Sequence, residues 1–235
     1  MTGTGVARTV IGIIGNFISA CLFLSPIPTF QKIIKAKSVQ EYKPHPYVAT
    51  VLNCAMWSFY GMPFVTSDDI LVLTINGAGF VLEIIYVTIF IIYSNWGTRK
   101  KIFIALTIEA VFFAVVVAIT ILALPTLHGR AMLVGLISIV FNIIMYISPL
   151  SVMKRVIKTK SVKYMPLALS VASFSNGVIW TIYALLKFDP YLLIPNGLGA
   201  ISGAVQLILY AWFYRTTNWE EEYERSSVQM SESTP

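Results

Sequence analysis

Amide, hydroxyl and indole side chains recur in this chain at matched places inside apolar runs. Asn76 stands in "TINGAG" and Asn196 in "IPNGLG". Asn53, Trp57 and Tyr60 follow one another at i, i+4 and i+7, as do Asn176, Trp180 and Tyr183, a spacing that puts each trio on one face of a helix. Ser19 corresponds to Asn142, and Phe23 to Tyr146. An asparagine offers two N–H donors and a carbonyl acceptor, which suits a vicinal diol whose oxygens both donate and accept. Tryptophan adds a flat apolar face with a polar edge, against which the C–H face of a pyranose can lie. The set carries no fixed charge. A neutral ligand dense in hydroxyls, a sugar, fits this chemistry.

Covalent chemistry is not indicated. The chain has no nucleophile elbow, no carboxylate pair at glycosidase spacing, no cluster of metal ligands and no phosphate-cradling loop, so neither an enzyme nor a cofactor or metal is expected. Cys21 and Cys54 both fall in apolar runs, which argues against a disulfide framework or a zinc site. Glu83 and Glu109 are the acids within those runs. Intramembrane acids mark function by default, yet neither has a matching acid in the other half of the chain, and proton coupling is the minor reading.

The elements that must position these groups are membrane spans. Of 235 residues, 57% are hydrophobic and 12% charged, far from the roughly 25% charged residues of soluble domains. About 20 apolar residues cross a bilayer as a helix, and seven such runs stand out: Val10 to Phe30, Tyr47 to Val65, Ile70 to Tyr93, Ile102 to Leu124, Ala131 to Met153, Leu167 to Leu186 and Tyr191 to Tyr214. Of the 17 Lys and Arg residues, all but Arg8, Arg130 and Lys187 follow spans one, three, five and seven. The positive-inside rule then places the N-terminus outside, or in a lumen, and the C-terminus in the cytosol. These basic residues read as topology signals rather than as a nucleic-acid patch. The first span is too long for the core of a cleaved signal peptide. Residues 216–235 read as a short disordered cytosolic tail.

An internal repeat sets the architecture. At a constant offset of 123, Gly12 meets Gly135, Pro26 meets Pro149, and Lys37-Ser38-Val39 meets Lys160-Ser161-Val162. "NCAMWSFYG" meets "NGVIWTIYA" at the same offset; three residues are then lost, and Asn76-Gly77-x-Gly79 meets Asn196-Gly197-x-Gly199. Spans one to three (residues 1–95) and five to seven (residues 129–215) are copies, and span four (residues 96–128) inverts the chain so that both copies run the same way. The expected fold is an all-α integral membrane protein: two parallel three-helix bundles joined by a linker helix. Parallel repeats of this kind hold their site near the bilayer midplane between the copies.

Each polar position also has a plain structural reading. An Asn in a membrane helix often bridges to a neighbouring helix, and Gly77 and Gly79 would let helices approach. The twin at Asn196 favours cargo for both. Trp57 and Trp180 lie mid-span, away from the interfacial belt where membrane tryptophans gather. Pro26 and Pro149 sit near the basic ends of spans one and five, while Pro44, Pro46 and Pro166 open spans two and six. Proline at a helix start is ordinary, but an interior proline frees a carbonyl and permits a kink, so helix starts and hinges both remain open. At the other face Tyr60, Tyr183 and Asp189 are placed to close a lid by hydrogen bonding.

Taken together, "GNFISACLFLSPIPTF", "KSVQEYKPHPYVATVLNCAMW", "TINGAG", "FNIIMYISPLSVMKRVIKTKSV", "KYMPL" and "IPNGLGA" resemble the plant SWEET sugar transporters over all seven spans. The resemblance implies facilitated movement of a sugar down its gradient, without a coupling ion, by a homo-oligomer in the lipid bilayer. It makes Asn76 and Asn196 the sugar-binding asparagines with Trp180 as stacking platform. Pro26, Pro46, Pro149 and Pro166 then form an inner-gate tetrad beside Phe23 and Tyr146, while Tyr60, Gly61, Tyr183 and Asp189 form the outer gate. Phe23, Cys54, Met145 and Asn176 fall at substrate-selecting positions; their bulk favours a hexose over sucrose. Ser19, Trp57 and Asn142 complete the expected pocket. The Pro-Gln pair of related PQ-loop proteins is absent, since Ile27 follows Pro26 and Leu150 follows Pro149.

The strongest rival is a seven-helix receptor for a small neutral ligand. A receptor need not be a tandem repeat, and "SNWGTRK" stands where an Asp-Arg-Tyr-like motif would follow span three. A retinal-binding pump is disfavoured because span seven has no Lys. Plasma and vacuolar membranes are both compatible with the chain.

Overall fold

The computed structural model describes residues 3–219. Among these residues nine α-helices account for the fold: α1 (Gly3–Leu24), α2 (Ile27–Ala36), α3 (His45–Tyr60), α4 (Ile70–Tyr93), α5 (Trp96–Leu122), α6 (Leu127–Met145), α7 (Ile147–Thr159), α8 (Leu167–Leu186) and α9 (Pro190–Phe213). They form seven rods, because α1 with α2 and α6 with α7 are the expected first and fifth spans, each broken near its proline. Pro26 cannot donate to the Leu22 carbonyl, and the Ser25 hydroxyl takes over at 2.7 Å. α2 starts immediately after. In the second copy the break falls at Tyr146, with Pro149 already inside the first turn of α7.

The repeat extends to backbone conformation. α2 and α7 end on Lys37 and Lys160, at φ 50° and 51°, the left-handed cap that turns the chain out of a helix. The remaining starts follow local chemistry: the side chains of Asn95, Thr126 and Asp189 accept from the first-turn amides of α5, α6 and α9, as N-cap residues do. Thr216 and Thr217, assigned by sequence to the tail, are tied to the end of the second copy. Thr216 Oγ1 donates to the Lys160 carbonyl at 2.6 Å, and Thr217 Oγ1 accepts from the Val162 amide at 3.0 Å. The rest of that tail, 220–235, lies outside the described residues.

Among the described residues, six helical stretches are long and apolar enough to cross a membrane. The exception among the seven rods is α3, whose 16 residues rise about 24 Å against a hydrocarbon core of about 30 Å. α3 nevertheless holds eight buried residues, Cys54, Met56, Trp57 and Tyr60 among them, because α4, α5 and α6 pack around it. A short helix is tolerated where protein rather than lipid surrounds it.

Six rods close into a ring. α1 packs on α4, α4 on α3, α3 on α6, α6 on α9, α9 on α8, and α8 back on α1. α1, α3 and α4 make one bundle; α6, α8 and α9 make the other; α1 against α8 and α3 against α6 are the two seams. α5 lies outside the ring, over the α3/α6 seam and against α4.

Candidate functional site

A cavity of about 270 Å3 lies inside the ring at mid-depth. Its walls come from all six rods, and it gathers Ser19, Phe23, Trp57, Asn76, Asn142, Met145, Tyr146, Asn176, Trp180 and Asn196, together with Thr50 and Asn53. No charged side chain lines it. Cys54, expected among the selecting residues, is not in the wall: it is fully buried inside the first bundle. The reason is helical. Asn53 and Trp57 face the cavity four residues apart, and the residue next to Asn53 points about 100° away. Glu83 is likewise buried in the first bundle and Glu109 lies on α5; neither reaches the cavity.

The two asparagines are held identically. Asn76 Nδ2 donates to the Val72 carbonyl at 2.9 Å, and Asn196 Nδ2 donates to the Leu192 carbonyl at 2.8 Å. Each amide therefore spends one N–H on its own helix and keeps its oxygen and second N–H for the cavity. Three residues on, Gly79 and Gly199 make room for the aromatic floor: an added Cβ would lie 2.5 Å from the Phe23 ring and 2.8 Å from the Tyr146 hydroxyl. Gly77 and Gly197, by contrast, face open space and mediate no close approach. Tyr146 Oη donates to the Pro195 carbonyl, and Tyr86 Oη donates to the Phe23 carbonyl at 2.9 Å. Both breaks are thus tied to the third rod of their own bundle.

On the α1/α8 seam the polar groups form a chain. Trp180 Nε1 donates to Ser19 Oγ at 2.9 Å, and Ser19 Oγ donates to Asn176 Oδ1 at 2.5 Å. The indole lies over Gly15, where a Cβ would come within 3.0 Å of the ring. Trp180 is thereby fixed as a buried platform, 6% exposed. Trp57 has no such seat among these bonds, but it meets Tyr60 edge-on at 5.4 Å, as Trp180 meets Tyr183 at 5.1 Å. Asn53 Oδ1 is buried without a partner in the cavity wall.

Toward the face where α1 begins, the cavity is shut by two related Tyr–Asp pairs. Tyr60 Oη donates to Asp189 Oδ2 at 2.6 Å. Tyr183 Oη lies 3.4 Å from Asp69 Oδ1, the longer contact, because Arg8 claims that oxygen at 2.6 Å. Arg8 also donates to the Asp68 carbonyl at 2.8 Å and lies 4.1 Å above the Tyr183 ring. Burial raises the Asp189 carboxyl above its usual range, opposed by the bond from Tyr60. At the surface Lys187 pairs with Asp68 and holds that carboxyl below the usual range. Gly61 ends α3 where a Cβ would lie 2.7 Å from the Leu73 amide nitrogen, so the α3–α4 corner requires glycine. Sequence reasoning missed Arg8 and Asp69. Asp69 matches Asp189 at the same offset that relates Asn76 to Asn196, which was the available signal.

On the opposite, basic face the four prolines divide. Pro149 and Pro166 line a second opening inside the second bundle. Pro46 lies in the first turn of α3 and Pro26 immediately before α2, and neither borders the central cavity.

A family model described as "sugar efflux transporter for intercellular exchange" matches residues 9–98 and 132–218, the two copies without the linker. The chain is 58% identical over 231 residues to the bidirectional sugar transporter SWEET5 of Arabidopsis thaliana, covering 98% of this chain and 96% of that protein. It is 52% identical to SWEET4 of the same plant, covering 98% and 92%. A solved eukaryotic SWEET transporter superposes with a TM-score of 0.86 at 38% identity, covering 90% of this chain and 99% of that one. The chain belongs to the SWEET family of multi-pass membrane transporters.

Proposed function

We propose that this protein is a bidirectional sugar facilitator, not an enzyme, that works by alternating access. The observation that carries this reading is the matched pair of amides, Asn76 and Asn196, each with free hydrogen-bonding capacity toward one uncharged cavity. Cargo sits between them with Trp180 behind it. Tyr60–Asp189 and Tyr183–Asp69–Arg8 form the outer gate, closed in this conformation, and the prolines with Phe23 and Tyr146 mark the inner one. The N-terminus faces the exterior or a lumen, and copies of the chain assemble into a homo-oligomer. Transport follows from the bundles rocking about the ring seams, so that one gate closes as the other opens.

A hexose is favoured over sucrose, because Phe23, Met145 and Trp57 crowd a cavity of about 270 Å3. Flux of labelled glucose and sucrose in proteoliposomes tests both levels. Glucose is expected to exchange faster; sucrose moving faster would reverse the preference, and no flux of either sugar would remove the function.

A further inference from the structure

The two bundles match in backbone but differ in what fills them on the basic half. In the first, rings occupy the space between α2, α3 and α4: Phe30 stacks on Tyr86 with centroids 4.2 Å apart, and Tyr47 meets Phe30 edge-on at 5.0 Å. The repeat places Met153, Gln206 and Ser170 at the corresponding positions. Those rings are gone, and a cavity of about 380 Å3 opens between α7, α8 and α9 with Leu22 of α1 at its edge, within the size range of small-molecule sites.

Its chemistry resembles that of the central cavity. Ser148, Ser170, Ser173, Ser202 and Gln206 line it, and no charged side chain does. Ser202 Oγ is buried without a hydrogen-bond partner, an unfavourable state that an incoming hydroxyl would relieve. Ser170 Oγ reaches Gln206 Oε1 only over 3.3 Å. The two cavities share Tyr146, Asn176 and Asn196 in their walls, so they adjoin. At its far end the second one reaches Tyr164 and Pro166 in the α7–α8 connection, on the basic face.

We propose that this hollow is a second, weaker site for the same neutral sugar, beside the central cavity and open toward the basic face. This rests on the sugar-transport reading. In the first bundle rings fill the corresponding space, so this second site is one-sided although the backbone is two-fold.

The test is the reaction rate of Ser202→Cys with a small maleimide in a Cys21→Ala background, measured in D-glucose and in L-glucose at equal concentration. Cys54 is fully buried and gives little background. D-glucose is expected to slow labelling several-fold, and the slowing should persist when Asn76→Ala is added, because Asn76 borders only the central cavity. Loss of the slowing in Asn76→Ala, or equal slowing by both enantiomers, would overturn the second site. Failure of the sugar reading has a separate signature, the absence of glucose flux in the unmodified protein. If Ser202→Cys does not fold, Ser173→Cys reports on the same wall with the same outcomes.

Discussion

At the scale of single residues, position on a helix decided which side chains reach the cavity. Asn76 and Asn196 are legible from sequence because the repeat duplicates them, and their shared bond to the carbonyl four residues back leaves both amides aimed inward. Asn76→Ala and Asn196→Ala are each expected to abolish glucose flux in proteoliposomes with the protein still folded; wild-type flux in either would exclude that amide from the mechanism. Cys54 was expected in the wall from the family resemblance alone, and its place on α3, next to the cavity-facing Asn53, turns it into the first bundle instead. Arg8 stood out in sequence only as one of three basic residues outside the cytosolic pattern, with nothing to mark its partner, whereas it is 8% exposed and ion-paired. Removing one partner of a buried pair strands the other, at a cost of about 3–5 kcal/mol. Arg8→Ala should therefore shift the protein away from the state closed at the N-terminal face. A thiol placed in the cavity wall would react faster from that side; unchanged reactivity would show that Arg8 does not hold the gate.

At the scale of elements, seven rods and the 3+1+3 order were legible from apolar runs, basic connections and the repeat. The order of rods around the ring was not, because it depends on contacts between distant segments. α1 packs on α4 and α8, fitted by Gly12 beneath Leu71 and Tyr183 and by Gly15 beneath Trp180. Glycines here are not equivalent. A Cβ at Gly177 would lie 2.5 Å from the Ala200 amide nitrogen, so α8 and α9 would have to part. Gly177→Ala is expected to destabilise by about 1–3 kcal/mol, the usual cost of overpacking. At Gly77 a Cβ meets nothing within 4 Å, and Ala there should be neutral or stabilising by up to about 1 kcal/mol through helix propensity. Thermal unfolding of the two variants in one detergent checks the pair, and equal melting temperatures would contradict the packing account.

At the scale of the whole molecule, the duplicated backbone carries unequal loads. α5 braces one seam and leaves α1 against α8 uncovered, and rings fill one bundle where hydroxyls line the other. The neutrality of both cavities has an electrical consequence. A unit charge carried across a membrane potential of 100 mV exchanges about 2.3 kcal/mol with the field, enough to bias a cycle strongly. Here the cargo is uncharged, the walls are uncharged, and the gate charges lie at one face, Arg8 paired with Asp69, Lys187 with Asp68, and Asp189 bonded to Tyr60. Sugar flux should be the same with the membrane clamped at zero or at a large potential, and no sugar-dependent current should accompany it. The molecule then answers to sugar concentration alone and works equally well in membranes of any polarisation.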